Sequence, residues 1–226
     1  QGGDYRKLPT ILSDNIQAHA EIAEKAIAIS KADWALDELS PEFVNNPIVS
    51  SRQADRLLSS AWFAWEAESL KNIAQLHALE EENNRLFIDA HDLQDELSSK
   101  VPESQVTLTR ANREKDCQRL ISYAIGCLMG RYSLDAPGLI YANAKNGGFD
   151  ASRYSSFPAD ADGIVPLTDE LWFEDEATSR IREFLLAAWD AETLAEKMVW
   201  LAESLGMKTG ETPDETIRRY LADKFY

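Results

Sequence analysis

The side chains in this sequence that could do chemistry are three histidines, two cysteines and a large stock of carboxylates. Nucleophilic catalysis needs a serine or cysteine beside a base. His19, His77 and His91 lie in no Gly-x-Ser-x-Gly or Cys–His setting. Their polar neighbours at helical spacing assign them surface or interface roles. His91 with Asp95, or Asp92 with Glu96, stand four apart on a helix and could share a metal. No His-Glu-x-x-His pattern or second cluster completes a coordination shell, so no metal site is expected. Asp169-Glu170 and Glu174-Asp175-Glu176 flank Trp172-Phe173. Paired acids of this kind could work as acid and base, but acidic residues are also what a helix N-terminus favours. The expectation is that no residue here is catalytic.

Phosphate and cofactor chemistry is equally sparse. There is no Gly-x-Gly-x-x-Gly, no Gly-x4-Gly-Lys-[Ser/Thr] and no strand–glycine–helix opening, so no backbone cradle for phosphates is expected. S-adenosylmethionine would need a glycine-rich strand end, and no cofactor is expected in these residues. The one concentration of positive charge is Arg110, Arg113, Lys115 and Arg119, with Arg131 further on. Arg110 and Arg113 are three apart and share a helix face. These four are the candidate contacts to a DNA backbone. Glu114 and Asp116 interleave with them, which equally suits a solvated or ion-paired surface. Trp62, Phe63 and Trp65 could stack bases, but their spacing with Leu58 reads as helix core.

Composition narrows the class. The chain has 226 residues, enough for one large domain or two small ones, and a formal charge of −16. So acidic a surface repels phosphate backbones except at a local basic patch. Cys117 and Cys127 are ten apart in one expected helix, roughly 15 Å, too far to bridge, and read as reduced packing residues of a cytoplasmic protein. No apolar run is long enough to span a membrane. Residues 1–11 read as a cloning remnant or linker, without the basic and apolar regions of a signal peptide.

The elements that must hold these residues are helical. Residues 12–39 show a stripe of Ile16, Ala20, Ala23, Ile27, Ser30 and Trp34, with Ser13 as cap. Asn45-Asn46-Pro47 reads as a turn. Residues 51–98 carry Leu58, Trp62, Trp65, Ser69, Ile73 and Leu76, then the polar run 80–84, then Leu86, Ile88, Leu93 and Leu97. That pattern suits two helices or one long bent one, antiparallel to the first. After Val101-Pro102, Thr109 opens a buried helix over residues 110–134. Its Gly126 and Gly130, each costing about 1 kcal/mol of helix propensity, point to close approach of another element. Residues 135–168 form a long irregular loop, with weak strand signals at 139–141 and 164–165. Helices follow at 174–189 and 191–205, the latter stopped by Gly206. Thr212-Pro213-Asp214-Glu215 is a capping box that opens a last helix.

Several of these stretches together resemble a known family. Leu120-Ile121-Ser122-Tyr123-Ala124-Ile125-Gly126-Cys127-Leu128-Met129-Gly130-Arg131-Tyr132, continuing to Pro137-Gly138-Leu139, is similar to a hallmark of PglX. PglX is the adenine-specific DNA methyltransferase family of BREX (bacteriophage exclusion) phage-defence systems, related to fused restriction–modification enzymes. Asp33-Trp34, Glu81-Glu82-Asn83-Asn84-Arg85-Leu86-Phe87-Ile88-Asp89 with Leu93-Gln94-Asp95-Glu96-Leu97, and Leu171-Trp172-Phe173-Glu174-Asp175-Glu176 with Arg180, Phe184 and Leu185 agree in order. Where the family has Tyr-Gly, this chain has His91-Asp92. The resemblance covers residues 12–226. It implies a parent enzyme that moves a methyl group from S-adenosylmethionine to N6 of adenine in double-stranded DNA. The family's Asn-Pro-Pro-Tyr motif and donor-binding glycines are not among these residues, so the resemblance implies a fragment from C-terminal to the methyltransferase core.

The combined expectation is an all-α chain: an antiparallel helical pair (residues 12–100), then a compact helical unit (101–226) with the loop 135–168. Its expected role is that of a non-catalytic helical spacer, positioning catalytic and target-recognition parts on DNA. The alternative is a protein-interaction module docking other phage-defence proteins through acidic, tryptophan-bearing helices. A third class, a stand-alone enzyme using acids of residues 135–175, would need convergent carboxylates. No membrane partner is expected.

Overall fold

The helical periodicities become seven α-helices in the computed structural model, which describes residues 16–143 and 147–225. They are α1 (Ile16–Trp34), α2 (Pro47–Ser50), α3 (Leu58–Ala90), α4 (Arg113–Leu128), α5 (Ala177–Ala188), α6 (Leu194–Ser204) and α7 (Pro213–Asp223). The described residues contain no strand, so the all-α class holds. The weak strand signals at 139–141 and 164–165 are not realised. Those segments make isolated backbone bonds, such as Ile140 N–H to Arg131 O (2.8 Å), rather than a ladder. The expectations for residues 1–11 and for the Ser13 cap lie outside the described residues.

Local chemistry sets the helix ends. Asn45-Asn46-Pro47 is more than a turn: the Asn46 side chain accepts from Ile48 N–H (3.0 Å) and, with Pro47 in the first turn, starts α2. α3 is one helix of 33 residues, uninterrupted by the polar run 80–84. Glu81 in that run is employed, accepting from Val101 N–H (3.2 Å) and Lys100 Nζ (3.0 Å). α3 stops at Ala90, short of the expected 98. Asp92 takes a left-handed conformation (φ 55°), Leu93 N–H reaches back to Ile88 O (3.0 Å), and Asp92 N–H to Asp89 O (3.3 Å). This is the six-to-one closure that normally uses glycine. Aspartate is among the few other residues that tolerate it, so the tight turn survives with His91-Asp92 in place of Tyr-Gly.

The described residues divide into two compact units: those of 16–33 with 70–109, and those of 34–69 with 110–143 and 147–225. In the first, Ile73 and Leu76 of α3 form a small core with Val106 and Leu108, and Ala26 and Ile29 of α1 pack against it. His19 meets Phe87 edge-on (4.8 Å between centroids). Early α1 therefore faces late α3 and late α1 faces earlier α3, the antiparallel pairing expected. Asp33 closes this unit by accepting the amide (3.0 Å) and hydroxyl (3.2 Å) of Thr109.

In the second unit α4 is central, packing on α2, α5 and α6, while α5, α6 and α7 pack on one another. Its core joins Leu58, Trp62 and Trp65 to Leu120, Ile121, Ala124 and Leu128 of α4, and to Ile181, Phe184, Leu185, Leu201 and Ile217. Gly126 is needed because a Cβ there would stand 2.5 Å from the Tyr132 ring. The close approach inferred from the glycine pair is thus made by the residue that follows the helix. α6 ends at Gly206 (φ 82°), where Met207 N–H bonds Ala202 O (3.1 Å). Thr212 and Glu215 form the expected capping box of α7.

The turn before α7 carries a pH signature. The Arg219 guanidinium grips Glu211 (2.8 and 2.9 Å) and Lys208 N–H adds a third bond (3.0 Å), pulling the carboxyl from its ordinary 4.5 down to about 2. A depressed carboxyl stabilises the fold above its unfolded value, and that contribution is lost as pH falls through the folded value. The Glu211 carboxyl resonance is expected to titrate near 2 by NMR, and to move back toward 4.5 in Arg219→Gln.

Candidate nucleic-acid interface

The four cationic candidates gather at the start of α4 because of a cap that the sequence hid. Asn112, not Thr109, begins the helix: its side chain accepts from Lys115 N–H (3.0 Å). Arg110 precedes the cap and is exposed, and Lys115 is exposed in the first turn. Arg113 is committed inward. Its Nε donates to Ser204 Oγ (2.7 Å), its Nη2 to Trp200 O (3.3 Å) and Glu203 (3.4 Å), and its guanidinium lies 4.4 Å from the Trp200 ring centroid. A phosphate contact through Arg113 would have to replace these bonds. Arg119 stands 3.6 Å from Asp116.

Asp116 is the residue that sequence reasoning underrated. It is 1% exposed, and its Oδ2 accepts from the indole N–H of Trp62 (3.1 Å) and Trp65 (3.2 Å) and from Asn112 N–H (2.8 Å). One carboxylate thus ties two turns of α3 to the cap of α4. A signal existed: Asp116 lies four residues before Leu120, on the apolar face of its helix. Trp62 and Trp65 are spent in the core as their spacing suggested and offer no face to a base, whereas Phe63 is 57% exposed.

His77 Nε2 lies 2.6 Å from Val101 O, and His91 Nδ1 lies 2.8 Å from Phe87 O. Among the described residues no three histidine, cysteine or acidic side chains gather around a metal-sized space. Cys117 and Cys127 are free and buried, and burial pushes both thiols up to about 12, which leaves them unreactive. Glu176 is buried with Arg218, while Leu171, Trp172 and Phe173 beside it are exposed. Burial also pushes the Glu38 carboxyl up, against the hydrogen bond from Ser122 (3.1 Å). No strand end exists among the described residues, and the two glycines of the α4 region lie against the rings of Tyr132 and Phe149. None of the described helices is long and apolar enough to cross a membrane.

No family profile matches the chain. Two curated relatives do. The chain is 39% identical over 229 residues to "Adenine-specific methyltransferase PglX" of Lacticaseibacillus casei (strain Zhang), a match covering 99% of this chain and 19% of that protein. It is 38% identical over 245 residues to "Adenine-specific methyltransferase BrxX" of Escherichia coli O9:H4 (strain HS), covering 99% of this chain and 20% of that protein. The chain spans about one fifth of the length of the curated relatives it matches. By sequence, then, this all-helical chain is similar over nearly its whole length to about one fifth of PglX and of BrxX, consistent with a fragment of such a protein.

Proposed function

We propose that this chain is a non-catalytic helical segment of a cytoplasmic N6-adenine DNA methyltransferase of a bacterial phage-defence system. In that role it positions catalytic and target-recognition parts on double-stranded DNA. The observation that carries the reading is the end-to-end match to a fifth of two adenine-specific methyltransferases by a chain in which Asp116, His91 and Glu176 are engaged in structural bonds. S-adenosylmethionine belongs, on this reading, to other parts of the parent enzyme.

Direct DNA binding by the segment runs through the exposed side chains Arg110 and Lys115 at the start of α4, while Arg113 is turned onto α6. Fluorescence anisotropy of the chain with a labelled duplex across a salt series tests it. The expected result is weak binding that collapses with salt. The slope of log K against log salt should fall by about 0.9 for each phosphate no longer neutralised in Arg110→Ala and in Lys115→Ala. Unchanged binding in both variants, or none at low salt, rules out this route to the backbone and leaves a positioning role without DNA.

One observation favours a second reading, a docking surface for other defence proteins. Leu171, Trp172 (69% exposed) and Phe173 stand together in solvent, flanked by Asp169, Glu170, Glu174 and Asp175. Aromatic side chains of this kind anchor protein interfaces.

A further inference from the structure

Beyond the end of α4 the chain builds a cleft that neither DNA binding nor spacing requires. It is a cavity of about 270 Å³ whose lining includes Met129, Tyr141, Phe149, Asp160 and Asp162. Gly130 makes it. With φ 71° and no side chain, Gly130 lets the Phe149 ring approach to 3.0 Å and Ala159 to 3.7 Å of where a Cβ would stand. The walls are tied down. Tyr154 donates its hydroxyl to Gly130 O (2.6 Å), and Phe149 stacks on Tyr154 (5.2 Å between centroids, 17° between planes). Tyr141 meets Phe149 edge-on at 5.4 Å. Asp160 N–H bonds Leu128 O (2.8 Å), fixing the acidic wall to the last turn of α4.

The lining specifies a ligand. Aromatic faces and a thioether attract a soft, weakly hydrated cation, and two carboxylates supply the counter-charge. Asp160 Oδ1 accepts from Asp162 N–H (3.2 Å) and Gly163 N–H (3.1 Å), and Asp162 Oδ1 accepts from Ile164 N–H (2.9 Å), so both acids are held in place. The neighbouring cation Arg180 donates to Glu183 and lies 5.8 Å from the Phe157 ring centroid, and its charge also reaches the Asp160 carboxylate. The volume suits a side-chain head group and falls below the range usual for cofactor pockets. We propose that this cleft binds an organic cation, a guanidinium or an alkylated ammonium, between the Tyr141–Phe149 rings and the Asp160–Asp162 carboxylates.

The test uses the 226-residue chain labelled at the methionine methyl carbons, where Met129 reports the cleft and Met198, buried in the core, serves as control. N-acetyl-arginine methylamide stands for a side chain on a polypeptide, tetramethylammonium for a free quaternary amine, and N-acetyl-citrulline methylamide for the uncharged shape. The expected result is a saturable Met129 shift with at least one of the cations and none with the citrulline compound, the tighter cation naming the source. Asp160→Asn with Asp162→Asn keeps the carbonyl acceptors and removes the charge. Phe149→Leu keeps bulk and removes the ring. Each is expected to weaken binding at least about tenfold while Met198 stays unmoved. No saturable shift with either cation, equal binding of the citrulline compound, or undiminished affinity in the variants overturns the proposal.

Discussion

Asp116→Ala is expected to destabilise the chain by about 3 kcal/mol or more, since a buried donor left without an acceptor costs about 1–3 kcal/mol and three donors lose one here. The Trp62 and Trp65 indoles and the Asn112 amide all end on one oxygen of a side chain that is 1% exposed, where water cannot replace it without opening the packing of α3 on α4. Asp116→Asn keeps one oxygen acceptor and is expected to lose less. Urea unfolding followed by tryptophan fluorescence measures both, and the indole environments should change even where the variant stays folded. A loss under about 1 kcal/mol for the alanine variant would mean that Asp116 occupies its site without organising it.

The second large effect is expected at the other end of the same unit. Arg218 binds Glu176 through two nitrogens, Nε to Oε2 at 2.9 Å and Nη2 to Oε1, and the Glu176 side chain is 2% exposed. Arg218→Ala strands that carboxylate inside the protein, and breaking a buried pair from one side costs about 3–5 kcal/mol. Replacing both partners, as in Glu176→Gln with Arg218→Met, leaves no buried charge and is expected to recover most of the loss. A double-mutant cycle by denaturant unfolding checks it. Strict additivity of the two single changes would show that the pair contributes nothing as a pair.

These two sites explain what could and could not be read from the sequence. The capping box of Thr212 and Glu215, the glycine stop at Gly206 and the all-helical class were legible because each is decided within a few neighbouring residues. The start of α4 was not. Thr109 has the right chemistry for a cap but is taken by Asp33, 76 residues away, and Asn112 caps instead. The basic cluster shows the same limit. Spacing put Arg110 and Arg113 on one face, but only the packing of α6 turns Arg113 onto Trp200 and Ser204. Asp116 looked like one more surface acid among 39 acidic residues, because its indole partners lie on another helix. The glycine pair announced a close approach without saying to what. The structure answers with Tyr132 at Gly126 and Phe149 at Gly130.

The most direct test of the central claim is calorimetric titration of the folded 226-residue chain with S-adenosylmethionine. A helical segment whose Gly126 and Gly130 back onto aromatic rings, with no strand end among its described residues, is expected to give no saturable heat up to millimolar donor. Saturable binding of one donor per chain would contradict the account and make this segment part of the catalytic machinery.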